Sequence, residues 1–191
     1  MNAVQNLCSQ TLLLKQGQVA YLGSTSETIA QYAQARKQQA TEQWHSPNAS
    51  ATALKLMDVD VAAVAQDEKN CRLTLALTYC HNAPHPAAFV AIDMADRAGS
   101  PLMQALPTLN KFLKYKPNGA TTLHIQVDMP PLVPGEYYLS FWAGSHNTET
   151  LDFEDQIVRF DIIASPTKGR TFPHTREHGC IVPYSKVLDC H

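Results

Sequence analysis

The sequence predicts an all-β fold, an antiparallel β-sandwich of the immunoglobulin-like or jelly-roll kind, preceded by a hairpin and one helix. Apolar and polar residues alternate in several short segments between residues 54 and 162, and a period of two is typical of half-buried strands. Turn-forming residues separate these segments at short intervals. One long segment near the N-terminus has helical spacing, and the lack of a second favours a sandwich over a mixed fold.

The first elements are a β-hairpin and this helix. Apolar-rich segments at 11–15 and 18–22 flank a Gln-Gly pair, which predicts two strands joined by a turn in which glycine supplies the positive φ. Residues 24–27 have capping-box spacing, in which a serine hydroxyl and a glutamate carboxylate satisfy backbone N–H groups at a helix start. Further residues follow at intervals of three and four, so we predict a helix from residue 25 to about 39.

The sequence period changes after the helix. Residues 40–52 are polar and rich in Ala, Ser and Gln, which is typical of a linker. We therefore predict an N-terminal unit at 1–39, a linker at 40–52 and a sandwich at 53–191. The strands predicted in the sandwich are 54–64, 71–79, 89–94, 123–128, 137–142 and 158–162. Residues 165–191 have no clear period, and we expect them to wrap the sandwich or to fray.

The composition is that of a globular protein. Of 191 residues, 45% are hydrophobic and 17% are charged, which is enough to bury a core. The formal net charge of -2 lacks the basic field of nucleic-acid-binding proteins, so we predict no nucleic-acid partner. No apolar run approaches the ~20 residues that span a bilayer. The five cysteines are scattered and odd in number, so we predict a reducing, cytoplasmic setting.

The N-terminal 39 residues resemble part of a known family. They comprise a short segment ending at Cys8, a Leu12-Leu13-Leu14 strand, Gly17, Gly23, and a helix with Ile29 and Tyr32. This series resembles the C-terminal end of an ABC-transporter ATPase domain. The resemblance implies that the chain is a piece beginning inside such a domain, after its switch histidine. The sequence has no Gly-rich phosphate loop with Lys-Ser/Thr, so we expect no ATP hydrolysis and no cofactor.

The sandwich carries a second likeness. Its motifs are Ile92-x-Met94-x-Asp96-x-x-Gly99, Pro134-Gly135-x-Tyr137-x-Leu139, Val158-x-Phe160-Asp161-Ile162 and Gly179-Cys180-Ile181-Val182-Pro183. Following an ATPase-like tail, they resemble the carboxy-terminal domain of Wzt-type O-antigen exporter subunits. The resemblance implies a non-catalytic module that binds the terminus of an O-antigen polysaccharide carried on undecaprenyl diphosphate. It also implies a homodimer that acts with a transmembrane permease, through the ATPase domain, at the inner membrane of a Gram-negative bacterium.

The alternation also predicts a sugar-binding face. Sugar recognition needs flat aromatic rings and a few hydrogen-bonding side chains. If Tyr137, Leu139 and Phe141 fill the core, the residues that alternate with them point outward, and the same reasoning applies to two other strands. The residues predicted to form one glycan-binding face are Trp142, Tyr138, Ser140, His124, Gln126, Arg72 and Thr74. The alternative is that Trp142 and Tyr138 cover a dimer interface or the tail, with the polar residues solvated.

Three other clusters contain residue types found in functional sites. The tail contains residues of the types that bind zinc, namely His174, His178, Cys180, Cys190 and His191. It lacks paired Cys-x-x-Cys motifs, so we predict that these residues form no metal site. A basic and aromatic patch at 111–116 is suited to contact an acidic sugar or a lipid diphosphate, or is a solvated loop edge. Glu149, Asp152, Glu154 and Asp155 crowd into one predicted loop, which argues against glycosidase chemistry.

The sequence supports one leading function and leaves two alternatives. The first is a carbohydrate-binding module that selects a polysaccharide for export. The second is a structural domain that dimerises ATPase subunits, in which case Trp142 becomes buried on dimerisation and not on adding glycan. The third is a metal-dependent enzyme that uses the tail residues, which requires stoichiometric zinc.

Overall fold

A computed structural model of the protein describes residues 7–15, 17–25, 27–28, 31–32, 40–47, 52–85, 88–109, 113, 115–117, 119–145, 149–163, 165–166 and 178–188. The strands in these residues are β1 (Gln10–Lys15), β2 (Gln18–Ser24), β3 (Gln43–His45), β4 (Leu54–Gln66), β5 (Cys71–His81), β6 (Phe89–Asp96), β7 (Pro101–Ala105), β8 (Ala120–Met129), β9 (Gly135–Ser145) and β10 (Glu149–Ile162). Among the described residues, no helix is long and apolar enough to cross a membrane.

Strands β3 to β10 form two four-stranded sheets. Sheet I has the order β10-β9-β6-β7, and sheet II has the order β3-β4-β5-β8. All of their strand pairs are antiparallel. Buried side chains from both sheets form one hydrophobic core. The predicted antiparallel β-sandwich is therefore confirmed.

The core follows from the two-residue period of the central strands. On β5, every second residue from Cys71 to Tyr79 is at most 1% exposed. On β9, the Tyr137 ring stacks on Phe160 with centroids 5.6 Å apart, and its hydroxyl donates to the Val133 carbonyl over 2.6 Å. Because successive side chains of a strand point to opposite faces, this packing determines which residues of each strand face outward.

The N-terminal hairpin forms as predicted. Strands β1 and β2 pair in antiparallel fashion. At the start of the predicted helix, the Glu27 N–H donates to the Ser24 hydroxyl over 3.3 Å, and that hydroxyl donates to the Glu27 carboxylate over 2.8 Å. Residues 25, 27–28 and 31–32 are helical, while the rest of the predicted helix lies outside the described residues. The assignment of this unit to an ATPase domain stays a prediction.

The segment 40–47, predicted as linker, packs on the sandwich instead. Gln43–His45 forms β3 at the edge of sheet II and pairs with β4. The Arg159 N–H of β10 donates to the Thr41 carbonyl over 3.0 Å, so the segment is bonded to both sheets. A three-residue polar edge strand is too short to show alternation in the sequence, which is why it reads as linker. The division of the chain at 39 and 52 stays a prediction.

The prediction of a loop at 149–155 is wrong. These residues belong to β10, which begins at Glu149. Register shifts follow Thr150 and Glu154, and Gln156 has a φ of 52°. Irregularities of this kind interrupt the two-residue alternation, so the sequence pattern is lost although the strand continues. The short strand β7 was also not predicted, because it follows the Gly99 turn and has only five residues.

The described part of the tail closes the core at one edge. Cys180 is buried, and its carbonyl accepts the Val133 N–H over 3.0 Å. The Val182 N–H donates to the Pro131 carbonyl over 2.7 Å. This part of the tail therefore wraps the sandwich, which is one of the two outcomes expected from the sequence.

One buried ion cluster joins the two sheets where β4 meets β10. The Lys55 ammonium of β4 lies 2.9 Å from an Asp152 oxygen and 2.5 Å from a Glu154 oxygen of β10. The other Asp152 oxygen accepts the Leu56 N–H over 2.7 Å. Burial lowers the pKa of Lys55, but the Glu154 and Asp152 carboxylates together outweigh this effect and raise it. The ammonium therefore stays charged at neutral pH and holds both carboxylates.

We predict that Lys55→Met destabilises the fold by about 2–4 kcal/mol, because it leaves two largely buried carboxylates without their cation. Urea unfolding at neutral pH measures this change as a lower midpoint. Lys69→Met is the matched control, since it removes an exposed lysine and is expected to cost less than about 1 kcal/mol. Equal midpoints for the two variants would contradict the prediction.

Candidate functional site

The seven residues predicted to share one face lie on opposite faces of the sandwich. Strands β5 and β8 belong to sheet II, whereas β9 belongs to sheet I. Arg72, Thr74, His124 and Gln126 therefore lie on the outer face of sheet II, and Tyr138, Ser140 and Trp142 lie on the outer face of sheet I. The prediction of a single patch is wrong, because alternation shows which side of a strand a residue occupies but not which sheet the strand joins.

Two of the predicted residues on sheet I have internal partners. Tyr138 is 2% exposed and donates to the Glu136 carboxylate over 3.3 Å. Burial, with the nearby Glu136 charge, raises the pKa of Tyr138 to about 12. The buried Ser140 hydroxyl donates to Asp155 and accepts the Gln156 N–H, both over 2.9 Å. These two side chains stabilise the sheet and the irregularity between Glu154 and Val158 of β10. Of the three predicted residues on this face, Trp142 is the one that keeps appreciable exposure.

A groove runs along the edge of sheet II at β8. It has a volume of about 700 Å³, which lies within the range of about 300–1,000 Å³ for ligand sites. The residues that line it are Pro107, Thr108, Leu113, Tyr115, Lys116, Thr121, Thr122, Leu123, His124, Ile125 and Gln126. His124 and Gln126 come from the predicted face, and Tyr115 and Lys116 come from the basic and aromatic patch. The fold therefore brings together two groups that the sequence analysis treated separately.

The wall opposite β8 is anchored to the core. The Leu113 N–H donates to the Ala88 carbonyl over 2.9 Å, and the buried Thr108 hydroxyl accepts the Val90 N–H over 2.7 Å. These contacts attach the connection between β7 and β8 to strand β6 and the residue before it. The groove is thus bounded by a strand edge on one side and by the anchored residues Thr108 and Leu113 on the other.

His81 supports the aromatic ring of the groove. Its imidazole meets Tyr115 edge to face, with ring centroids 6.2 Å apart and planes at 74°. Its Nε2 lies 3.2 Å from the Thr121 hydroxyl. Burial lowers the pKa of His81, and the Lys116 charge adds to this effect, which favours the neutral imidazole. The sequence did not indicate His81, because its role depends on a residue 34 positions away in the chain.

Gln126 is oriented by a network on the outer face of sheet II. Its amide donates to one Asp128 oxygen over 2.8 Å, and the Arg72 Nε donates to the other over 3.0 Å. The Gln126 bond, followed by the Arg72 bond, lowers the pKa of Asp128. This bond uses one of the two amide hydrogens and orients the group, so the Gln126 carbonyl oxygen is left to accept a bond from a ligand hydroxyl. On the neighbouring strand β5, Arg72 holds Asp128, and Thr74 lies opposite Gln126 in the strand pairing.

The groove has a positive character. Among the described residues that line it, Lys116 is the cation and none is acidic. In the described part of the chain, no group of three His, Cys, Asp or Glu residues is placed to hold a metal ion. His174, Cys190 and His191 lie outside the described residues. The groove is therefore suited to hydrogen-bonding and stacking with a polar ligand.

Comparisons with known proteins support the fold. Neither a protein-family model nor a curated protein matches the chain. Among solved structures, the C-terminal domain of Wzt has a TM-score of 0.55 and 15% identity, over 78% of this chain and 87% of that one. Beta-glucuronidase from Parabacteroides merdae has a TM-score of 0.36 and 15% identity, over 57% of this chain and 13% of that one. Beta-glucosidase from Kluyveromyces marxianus has a TM-score of 0.31 and 10% identity, over 61% of this chain and 15% of that one. The two glycosidases are too dissimilar to carry an argument.

Because the identity is 15%, the similarity to the C-terminal domain of Wzt shows a shared fold. The class that this fold defines is a two-sheet antiparallel β-sandwich. Within that class, the chain shares its architecture with the C-terminal domain of Wzt over most of the length of both chains.

We predict that acid weakens the fold partly through His81. Because its pKa in the folded protein lies below the usual 6.5, the stability from the neutral imidazole is present above pH 6.5 and is lost as the pH falls through the lowered value. Urea unfolding at pH 7.5 and pH 5 of wild type and His81→Gln measures this, and we expect wild type to lose more stability than the variant. An equal loss in both proteins would contradict the assignment.

Proposed function

We propose that the sandwich is a non-catalytic carbohydrate-binding module that recognises the terminus of a lipid-linked O-antigen polysaccharide for export by an ABC transporter. The glycan lies in the groove along β8. The observation that carries this proposal is the meeting of Tyr115, His124 and Gln126 in one groove, since sugars are bound by aromatic faces and oriented hydrogen-bonding groups.

The groove provides three kinds of contact for a sugar. The Tyr115 ring is 37% exposed and offers an apolar surface to the C–H face of a pyranose. His124, Gln126 and Thr122 offer donors and acceptors for hydroxyl groups. Strand β8 is at the edge of sheet II, so its outer backbone N–H and C=O groups are directed toward the groove side and are also available to a ligand.

The acidic side chains support binding over hydrolysis. A glycosidase needs two carboxyl groups that flank the scissile bond. In β10, Asp152 and Glu154 are bound to Lys55, and Asp155 accepts the Ser140 hydroxyl. The described lining of the groove has no carboxylate. A recognition module therefore fits this site better than a glycosidase.

The export context rests on two likenesses. The fold is similar to that of the C-terminal domain of Wzt, and residues 1–39 resemble the end of an ABC-transporter ATPase domain. We therefore include in the proposal a homodimer that acts with a transmembrane permease at the cytoplasmic face of the inner membrane. If no glycan binds, the alternative is a structural domain that dimerises ATPase subunits.

We predict that His124→Ala lowers the affinity for the O-polysaccharide of the source organism by about tenfold, the loss of roughly one hydrogen bond to a sugar hydroxyl. Calorimetric titration of the folded chain measures this. His45→Ala is the matched control, because His45 is also an exposed histidine on an edge strand of sheet II, at the opposite edge. It is expected to bind like wild type.

Two results would contradict the proposal. An equal loss of affinity in both histidine variants would place the glycan elsewhere. No binding of the polysaccharide to the folded wild-type chain would remove the carbohydrate-binding function and favour the dimerisation role.

A further inference from the structure

The outer face of sheet I carries a row of aromatic rings, which we call the aromatic shelf. It consists of the half-buried Trp142 on β9 and the exposed Phe153 on β10, with Phe89 on β6, which is buried at 7% exposure, packed against Trp142. Phe153 lies directly opposite Trp142 in the strand pairing. The Phe89 and Trp142 rings are in contact, with centroids 5.2 Å apart and planes at 57°. The shelf is on the outer face of sheet I, whereas the groove lies at the β8 edge of sheet II.

The Trp142 indole is held flat along its own strand. A Cβ atom at Gly144, the next residue on that face, would lie 2.4 Å from Cζ2 and 2.7 Å from Cη2 of the indole. The ring therefore occupies the space that a side chain at Gly144 would need. Its Nε1–H donates to the Thr150 hydroxyl of β10 over 3.0 Å. Contacts from three strands thus fix the plane of the ring before any ligand arrives.

The shelf is a small apolar area within a polar face. Phe153 is 52% exposed, so much of its ring is left open by the part of the chain that the structure describes. Beside it the face is polar, with the Gln104 amide donating to Asp93 over 2.8 Å and the Arg159–Asp161 pair on β10. A stable protein interface buries about 800 Å² on each partner. Two partly exposed rings within polar surroundings fit a sugar ring better than a protein.

Polar groups lie at the end of the shelf. The Thr150 hydroxyl accepts the indole N–H, which leaves its own proton for a ligand oxygen. His85 Nε2 lies 2.9 Å from the Glu149 carboxylate, and the carbonyl of Glu149 adjoins Gly144. His85 Nδ1 is buried and has no hydrogen-bond partner within the described residues. A flat apolar surface with hydroxyl-binding groups at one end is the pattern that a pyranose requires.

We propose that the aromatic shelf is a second sugar-binding site, which stacks a pyranose from the body of the polysaccharide whose terminus lies in the groove. This inference rests on the proposed function. Because one site is at the β8 edge of sheet II and the other on the outer face of sheet I, a short terminal oligosaccharide occupies the groove alone, whereas a long chain engages both. The second contact then raises the apparent affinity for the polymer without changing the affinity for the short fragment.

The test compares two probes on matched tryptophan variants. The probes are the O-polysaccharide of the source organism, freed from lipid, and a terminal oligosaccharide of two or three sugars cut from it. Trp142→Ala is expected to weaken binding of the polysaccharide about five- to tenfold and to leave binding of the oligosaccharide unchanged. Phe153→Ser changes an exposed ring and is expected to have the same effect with little change in stability. Trp44→Phe is the control and is expected to bind both probes like wild type.

Fluorescence gives a second readout that does not depend on the folding of Trp142→Ala. The chain has two tryptophans, so Trp44→Phe leaves Trp142 as the single emitter. Its emission is expected to change on adding polysaccharide and to stay constant on adding oligosaccharide. The proposal is overturned if emission is constant with both probes and both shelf variants bind polysaccharide normally. It is also overturned if emission changes with protein concentration alone, which would make the shelf an interface between copies.

The outcomes separate the shelf from the proposed function. If His124→Ala loses affinity for both probes while the shelf variants do not, the proposal of a second site on the shelf is wrong and the proposal of a glycan site in the groove is supported. If neither probe binds the folded wild-type chain, the proposed function fails and the shelf fails with it.

Discussion

The packing of alternate residues from β5 and β9 into one core is the constraint on which the rest of the structure depends. Residues Cys71 to Tyr79 on one sheet and Tyr137 to Phe141 on the other contribute side chains at most 1% exposed at every second position. Because a strand has two faces, filling this core directs the remaining side chains outward. The core therefore determines that His124 and Trp142 face solvent, and on opposite sides of the molecule.

The sequence predicted the strands well and their arrangement poorly, for a physical reason. Alternation reflects the burial of one face, so β5, β8 and β9 were evident, but it does not say which strands share a sheet. That depends on contacts between residues far apart, such as Arg72 with Asp128. Local irregularity hid other features. Bulges masked the first half of β10, and the shortness and polarity of β3 gave it the pattern of a linker.

The same distinction explains why the candidate site was found only in part. His124 and Gln126 were predicted because they alternate with buried residues on β8. Tyr115 and Lys116 were noticed as a separate patch, because their proximity to β8 arises from the anchoring of a connection to the core. His81 had no sequence signal at all. A groove formed between a strand edge and a loop belongs to the tertiary structure, so no single periodicity could reveal it.

The central claim is that a glycan occupies the edge of β8, and mapping of backbone amide chemical shifts tests it most directly. We would label the folded chain with ¹⁵N and add a terminal oligosaccharide of the source organism's O-polysaccharide. The account predicts shift changes concentrated at residues 121–126 and at Tyr115 and Lys116, with β3 at the opposite edge of the sheet unaffected. Changes confined to β3, β4 or the N-terminal hairpin, with β8 unchanged, would contradict it.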